Sequence, residues 1–569
     1  DVIDITNTDM RNGKGNSYGI YCRNAGTNTD NTQINITNNT INRINHGITH
    51  RGDKYLFGSV NNNTITNADK GIDIENIIQK WTCLNIRDNI INSKTGITLT
   101  NLVNPHFTEG KSKTILWCDV RSIEGNNIDL LPSINDNNYF GMQFNSCWMA
   151  DYTLQENTVN GFSSAANWIS GIRLSSSFLC NLECNSVSNV GQGMYFEGQT
   201  PGTEVWGNTM ENCTDGVYFT NNTLFDDQGF ASLPSDNKWE GNFTHHTYAY
   251  NTDASEYTFF VRNSPSEYVP SINGFNPSSF PITVNSFAYS GSDYCAAKKS
   301  ISKSTKSKDY TLEKKIARNE IKFEYYPQEN EWMAKQYLYK RMKEEPDMVK
   351  EDVAFTYALD SLEKTNISKL FKVNTLLNDT SVDIKKVLKE NSSIVPGNLI
   401  ESNRKIVNRI YLETFAAGTD SLTPSQITEL KEIAEQCPYT GGNAVYSARV
   451  MLRMVDDEYN YVNECEIIKS GENEKSKQLL KDNDVNSGEN ELIRIYPNPA
   501  KDELIIECSS CITGATFELA NMIGEIIKKD NISTDRITIS LKNVEGGIYM
   551  YKISQQGNII INDKLVIIK

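Results

Sequence analysis

Two short phrases recur through the first 245 residues of this chain, and they restrict its fold more than any other feature. The first phrase is an asparagine followed two residues later by a hydrophobic residue. Its copies are Asn39-Thr40-Ile41, Asn63-Thr64-Ile65, Asn89-Ile90-Ile91, Asn157-Thr158-Val159, Asn185-Ser186-Val187 and Asn208-Thr209-Met210, with a degenerate copy at Asn127-Ile128. A unit this short cannot bury an apolar face by itself, so the units must stack on one another.

The second phrase is a glycine followed by a hydrophobic residue, and it sets the length of the repeat. Its copies begin at Gly19, Gly47, Gly71, Gly96, Gly141, Gly171, Gly193 and Gly216. The intervals are 28, 24, 25, 45, 30, 22 and 23 residues, and the interval of 45 predicts an inserted segment around 106–113. A repeat of this length with two or three short strands predicts one coil of a solenoid.

Strand periodicity assigns the residues after each glycine to two faces. The first and third residues point inward and are almost all apolar, whereas the second and fourth point outward and are polar. We therefore predict an apolar inward column and an outward sheet that meets water or a polar ligand. The 19 asparagines among the first 100 residues fit the turns, where their side chains can form a hydrogen-bonded ladder.

The repeats resemble those of right-handed parallel β-helix proteins of bacterial surfaces and of carbohydrate-active enzymes. The resemblance implies that residues 1–246 form a right-handed parallel β-helix. The chain begins within the pattern at Asp1-Val2-Ile3-Asp4, without a recognisable signal peptide. We therefore expect the β-helix to be truncated at its N-terminus.

One outward carboxylate pair offers a catalytic hypothesis. Asp73 and Glu75 are two residues apart on the outward face, which separates them by roughly 6.5–7 Å along the backbone. Carboxylates at such separations can serve an inverting glycosidase, and Arg51 one coil away could bind a uronate. Tyr195 and Tyr218 could stack on sugar rings. The alternative is that these charges only solvate the sheet, and we favour it because no third carboxylate stacks on the pair.

Composition narrows the classes of partner. Lys and Arg number 55 against 71 Asp and Glu, a formal net charge of −16, which argues against a nucleic-acid or anionic-membrane surface. No apolar run of 18 residues could span a membrane. The twelve cysteines form no paired metal-binding array, and only Cys508 and Cys511 have CxxC spacing. We therefore predict neither a metal nor another cofactor.

The middle of the chain changes character twice. Residues 247–308 are rich in Ser, Pro and Asn and predict a cap and linker. Residues 309–465 predict a module of α-helical hairpins, with helices at 312–343, 350–363, 402–415 and 444–454 and one that begins after an N-cap at Thr423. Cys437 and Cys465 could form a disulfide within this module. The segment Ile433–Arg449 is similar to helical segments in large surface proteins of the Bacteroidota, and 466–491 predicts a flexible linker.

The last domain, 492–569, consists of short strands separated by turns and predicts a small Ig-like β-sandwich. It contains Pro497-Asn498-Pro499, Gly524, the Gly547-x-Tyr549 strand and the terminal Lys564-Leu565-Val566. With these marks it closely resembles the type A C-terminal sorting domain of proteins exported by the type IX secretion system. The resemblance implies export across the outer membrane, with recognition by the translocon and its outer-membrane shuttle protein. The alternative is a carbohydrate-binding accessory domain.

Together these features predict a mainly β protein: a β-helix, then a helical module and a C-terminal sandwich. The function we favour is that of a secreted structural or adhesin-like protein of the cell surface, with surface glycans as candidate partners. The alternative is a polysaccharide-active enzyme, a glycosidase or lyase, centred on Asp73, Glu75 and Arg51.

Overall fold

A computed structural model describes most of the chain. The described residues are 2–6, 8–11, 17–23, 33–52, 56–103, 122–132, 139–150, 153–163, 169–230, 232–250, 257–274, 282–297, 310–323, 325–378, 383–456, 459, 461, 465, 493–496, 500–501, 503–508, 515–520, 526–532, 534, 536–544, 547–555 and 558–567. The insertion predicted around 106–113 lies outside them. The chain divides into two compact units, Asp1–Leu480 and Lys481–Lys569.

The first unit begins with a parallel β-solenoid of about eight turns. Its strands, with the strand pair that follows it, are β1 Val2–Thr6, β2 Asp9–Arg11, β3 Tyr18–Arg23, β4 Gln33–Thr37, β5 Thr40–Asn42, β6 His46–Gly52, β7 Leu56–Asn61, β8 Thr64–Arg87, β9 Ile90–Val103, β10 Ser122–Glu124, β11 Asn127–Leu130, β12 Tyr139–Asn145, β13 Thr153–Gln155, β14 Thr158–Asn160, β15 Ile169–Ser175, β16 Asn181–Glu183, β17 Ser186–Ser188, β18 Gln192–Gln199, β19 Glu204–Trp206, β20 Thr209–Glu211, β21 Asp215–Leu224, β22 Lys238–Glu240, β23 His245–Tyr250, β24 Tyr257–Arg262, β25 Ile272–Gly274 and β26 Ile282–Phe287. Parallel pairing continues past residue 246, because β23 pairs with β25 and β24 with β26.

The asparagine phrase forms a buried ladder along the solenoid. Each Nδ2 donates to the Oδ1 of the asparagine one coil later, at 2.8–3.1 Å, and the side chains are at most 2% exposed. The ladder consists of Asn39, Asn63, Asn89, Asn126, Asn157, Asn185, Asn208 and Asn237. The degenerate copy therefore begins one residue earlier than we predicted, at Asn126. Asn237 was missed because no glycine phrase follows it.

The glycine phrase has a packing cause that links it to the asparagine phrase. A Cβ added at Gly171 would lie 2.1 Å from Val187 Cγ1 and 2.6 Å from the carbonyl oxygen of Gly193, both in the next coil. The same relation joins Gly47 to Ile65. Each glycine thus makes room for the hydrophobic residue of the next asparagine phrase, and any larger side chain would push the coils apart.

The inward column is confirmed by burial. From Ile48 to Phe219, the first and third residues after each glycine are 0–4% exposed. They form one continuous hydrophobic core with the aliphatic residues of the asparagine phrase. Stacking of identical positions therefore supplies the core that no single coil could build.

Ten helices follow among the described residues. They are α1 Tyr294–Ala297, α2 Thr311–Ala317, α3 Pro327–Glu344, α4 Val353–Leu362, α5 Asn366–Leu377, α6 Ile384–Ser392, α7 Leu399–Glu413, α8 Pro424–Ala434, α9 Pro438–Gly441 and α10 Ala444–Val455. The capping box at Thr423 and Gln426 is confirmed. The single helix predicted over 312–343 is wrong, because the chain breaks after α2, where Asn319 is left-handed, and restarts at Pro327, the first residue of α3.

Two disulfides connect distant parts of this unit. Cys437 bonds to Cys465 within the helical module. Cys184, a turn residue of the solenoid, bonds to Cys295 on α1 and closes a separation of 111 residues. The second bond was not predicted, because Cys184 carries no local sign that its partner lies beyond the solenoid.

The second unit contains two antiparallel sheets that share one hydrophobic cluster. Its strands are β27 Ile493–Tyr496, β28 Glu503–Cys508, β29 Ala515–Ala520, β30 Ile526–Ile532, β31 Arg536–Ser540, β32 Gly547–Gln555 and β33 Asn558–Ile567. One sheet has the order β27-β28-β31 and the other the order β30-β29-β32-β33. The finer Ig-like assignment stays a prediction.

Candidate functional site

The helical module covers the outward face that the sequence predicted to meet water. Residues of α10 pack against β6, β8 and β9, and apolar residues of the solenoid join the helical cores. Arg51 and Asp73 are each 1% exposed and Glu75 is 2% exposed. The prediction of a solvated sheet is therefore wrong at these residues, since helices distant in sequence fold back over them.

The three candidate catalytic residues do lie together, in one ion network. Arg51 stands opposite Glu75 in the β6–β8 register, and its Nε donates to Glu75 Oε2 at 3.1 Å. Lys70 Nζ lies 3.0 Å from Asp73 Oδ2, and Arg51 Nη2 lies 3.9 Å from the same oxygen. Arg453 of α10 donates through Nη1 to Glu75 Oε1. Sequence reasoning missed Arg453, which is 378 residues from its partner.

The electrostatics of this network oppose proton transfer. Burial acts to raise the pKa of Asp73, but Lys70, Arg51 and Arg453 outweigh it and lower that pKa to about 2. The pKa of Arg453 is raised, because Glu75 outweighs the effect of burial. A general acid works best with a pKa near the operating pH, so Asp73 is poorly suited to donate a proton. The arrangement instead joins α10 to the solenoid.

A second ion pair, between Arg173 and Glu197, lies further along the solenoid. Arg173 Nη2 lies 2.6 Å from Glu197 Oε2, and Ser175 Oγ donates to Glu197 Oε1 at 2.7 Å. Burial acts to raise the pKa of Glu197, but Arg173 and Ser175 lower it overall. A Cβ on the neighbouring Gly198 would lie 3.0 Å from the ring of Tyr439 in α9, so the helical module packs here as well.

One column of aromatic residues stays partly open on the outward face. Tyr195, Tyr218 and Tyr248 occupy the same position in successive coils and are each half-buried. The ring centroids of Tyr195 and Tyr218 are 5.0 Å apart, and those of Tyr218 and Tyr248 are 5.6 Å apart. Arg173 lies over the Tyr195 ring at 4.6 Å, and His245 stacks on Tyr248 at 4.6 Å. We call Tyr195, Tyr218 and Tyr248 the tyrosine column.

Sequence reasoning found two members of this column and missed the third. Tyr248 stands opposite Tyr218 in the β21–β23 register. Extending the repeat of outward-facing positions by one more coil would have predicted Tyr248. The glycine that should introduce that coil is replaced by His246, which hid the repeat.

The predicted sorting marks converge in the second unit. Tyr549 of β32 pairs with Leu565 of β33, and Gly547 pairs with Ile567 in the same ladder. Leu565 is fully buried, and Tyr549 packs against the shared cluster. Ala500, which follows Pro499 in sequence, forms a parallel bridge with Ile567.

Lys564 and Val566 pair through their backbones with Met550 and Ile548. Pro497, Asn498, Pro499 and Gly524 lie outside the described residues. Two distant marks, Gly547-x-Tyr549 and Lys564-Leu565-Val566, are thus opposite strands of one hairpin.

The described residues contain neither a membrane-spanning helix nor a metal-binding cluster. No helix there has the length and apolar character needed to cross a bilayer. No cluster of three or more His, Cys, Asp and Glu side chains in those residues is arranged to hold a metal ion.

Comparison with known proteins gives one match. Residues 494–569 match the family model of the secretion system C-terminal sorting domain. No curated protein and no solved structure matches the chain. The matched range includes the β32–β33 hairpin and its marks.

Proposed function

We propose that this chain is a structural or adhesive protein of the bacterial cell surface, whose solenoid contacts surface glycans through the tyrosine column. The sorting domain indicates a type IX secretion substrate, exported to the cell surface or the extracellular space. In this proposal the outer-membrane translocon and its shuttle protein recognise residues 492–569. The solenoid acts as a scaffold and not as an enzyme.

The burial of Asp73 and Glu75 is the observation that carries this proposal. Both carboxylates contact cations, and both lie beneath α10, so a polysaccharide has no path to them in this conformation. A catalytic pair of a glycosidase needs room for the sugar and, in inverting enzymes, for a water. Glu75 instead contacts Arg453 of α10, and both carboxylates are at most 2% exposed.

The tyrosine column supports the glycan part of the proposal. Its rings follow one another at the spacing of the coils, and tyrosine combines an apolar ring with a hydroxyl that can bond to a sugar. Arg173 lies over the Tyr195 ring, but its charge is paired with Glu197. The surface therefore suits an extended, neutral polysaccharide chain.

Binding of the full chain to immobilised polysaccharides tests the proposal. Tyr218→Ala and Tyr248→Ala should each weaken binding about tenfold, the size expected for one central aromatic contact. Tyr357→Ala is the matched control, because Tyr357 lies on α4 and is 72% exposed, and it should leave binding unchanged.

The enzyme hypothesis is tested on the same substrates. The double variant Asp73→Asn with Glu75→Gln should bind as the parent does, and neither protein should release oligosaccharides. Depolymerisation by the parent that disappears in the double variant would overturn the proposal. Equal binding by the parent and both tyrosine variants would remove its glycan part.

A further inference from the structure

A cavity of about 60 Å³ lies where α3, α5 and α7 meet the solenoid. A water needs about 10–15 Å³ by this measure, so the cavity has room for a few waters or one small molecule. Its wall includes apolar rings, two cations and several carboxamides. Among them are Trp148, Phe371, Lys340, Arg404, Asn374 and Asn408.

The two cations in this wall are not equally compensated. Lys340 Nζ lies 3.8 Å from Glu344 Oε1 and 3.7 Å from the centre of the Trp148 ring. Arg404 donates through Nη1 to the hydroxyl of Ser447 at 3.3 Å. Within the described part of the chain, no carboxylate lies within 4.0 Å of the Arg404 guanidinium. Burial lowers the pKa of Lys340 to about 8 and that of Arg404 to about 10.

Other arginines of this unit have carboxylate or backbone partners, whereas Arg404 contacts a hydroxyl. Arg51, Arg173 and Arg341 each contact a carboxylate. Arg449 donates to two backbone carbonyl oxygens, those of Ala434 and Gln436. The Arg404 guanidinium is half-buried and contacts a neutral hydroxyl, so an anion in the cavity could supply the charge that its neighbours lack.

We propose that this cavity binds a short-chain monocarboxylate of two to four carbons. The carboxylate contacts Arg404 and Lys340, and the aliphatic end packs against Trp148 and Phe371. Of the two cations that line the cavity, Lys340 pairs with Glu344 and Arg404 has no carboxylate partner among the described residues, so a single negative charge would balance the site. A phosphate dianion would exceed that charge and would leave polar oxygens against the apolar wall.

The size and the lining of the cavity also argue for this class. A sugar ring is too large for about 60 Å³, whereas propionate has five heavy atoms. Asn374 and Asn408 also line the cavity, and Asn408 Nδ2 donates to Asn391 Oδ1 at 3.4 Å. Small sites of this kind combine an apolar wall with a few charged or amide groups that orient the ligand. The site goes beyond the proposed surface role and does not depend on it.

Titration calorimetry of the full chain with acetate, propionate and butyrate tests the site, with inorganic phosphate as the comparison probe. We expect saturable binding of at least one carboxylate and a Tm that rises with its concentration. Arg404→Met should weaken binding at least about tenfold, since charged hydrogen bonds are among the strongest. It should also keep or raise the Tm in buffer without carboxylate, because it removes a half-buried charge that contacts no carboxylate of the described residues.

Arg409→Met is the matched control, because Arg409 lies on the same helix and forms only partly exposed pairs with Glu413 and Glu429. It should bind the probes as the parent does. Lys340→Gln serves as a second variant if Arg404→Met does not fold, and it too should weaken binding. No response of the parent to any carboxylate, or a response to phosphate alone, would overturn the proposal. An equal response of the parent and the Arg404 variant would overturn it too.

Discussion

His50 lies in the inward column, between Cys22 and Ile74 of the neighbouring coils. It is 4% exposed, and its Nδ1 has no hydrogen-bond partner among the described residues. Burial lowers the pKa of His50 from 6.5 to about 4. The imidazole therefore stays neutral in the folded chain at pH values where the unfolded chain already binds a proton.

The lowered pKa of His50 makes the folded chain less stable in acid. Between pH 6.5 and pH 4 the unfolded state binds more protons at His50, so the free energy of unfolding falls as the pH falls. At pH 5 the loss from this residue is about 2 kcal/mol relative to neutral pH. His50→Leu should remove that part of the difference between urea midpoints at pH 7.5 and pH 5. Ile74→Leu is the control, and an unchanged pH difference in His50→Leu would contradict the prediction.

At the scale of elements, α10 is the helix that closes the outward face. Nearly all of its residues are buried, because α7 and α8 contact one side of it and β6, β8 and β9 the other. Its Ser447 accepts hydrogen bonds from Asn101 of the solenoid and from Arg404 of α7. Arg453 near its C-terminal end contacts Glu75. The helix therefore links the two halves of the unit by both apolar and ionic contacts.

Removal of one charge tests how much the ionic contact contributes. Arg453→Met leaves Glu75 buried with Arg51 alone, and we expect the unfolding free energy to fall by about 3 kcal/mol. Adding Glu75→Gln should deepen that loss, because Arg51 then keeps only the more distant Asp73, which already pairs with Lys70. Arg318→Met is the control, since its pair with Asp352 is solvent-screened and its loss should change the stability little. Thermal unfolding of the four proteins measures the order of stability, and equal losses in the single and double variants would refute this account.

The same element shows where sequence reasoning ends. The coils could be predicted because a sequence repeat shows which residues stack on one another. The asparagine position of Asn157 and the glycine position of Gly171 each recur in the neighbouring coils. The position of α10 could not, because helical periodicity indicates that a face is buried but not what covers it. Arg453 and Glu75 come together only through tertiary folding. The carboxylate pair Asp73 and Glu75, predicted to be exposed to solvent, is therefore buried beneath α10.

At the scale of the whole molecule, the two compact units have separate cores. The solenoid and helices of Asp1–Leu480 contain the candidate sites, whereas Lys481–Lys569 contains the sorting domain. The hydrophobic cluster of the second unit consists only of its own residues, from Ala500 to Ile567. Damage to that cluster should therefore affect export without changing the stability of the first unit.

Leu565→Asp in the full chain tests this separation. Leu565 is fully buried opposite Tyr549, so a carboxylate there would lie unpaired in the hydrophobic cluster of the second unit and disrupt the β32–β33 hairpin. We expect the variant to remain in the periplasm, as deletion of Pro497–Lys569 should also cause, while the thermal transition of the first unit stays unchanged. Lys529→Gln is the control, because its side chain is 59% exposed on β30, and it should be exported normally. Normal surface delivery of Leu565→Asp would contradict the prediction, because export would then not require the folded hairpin.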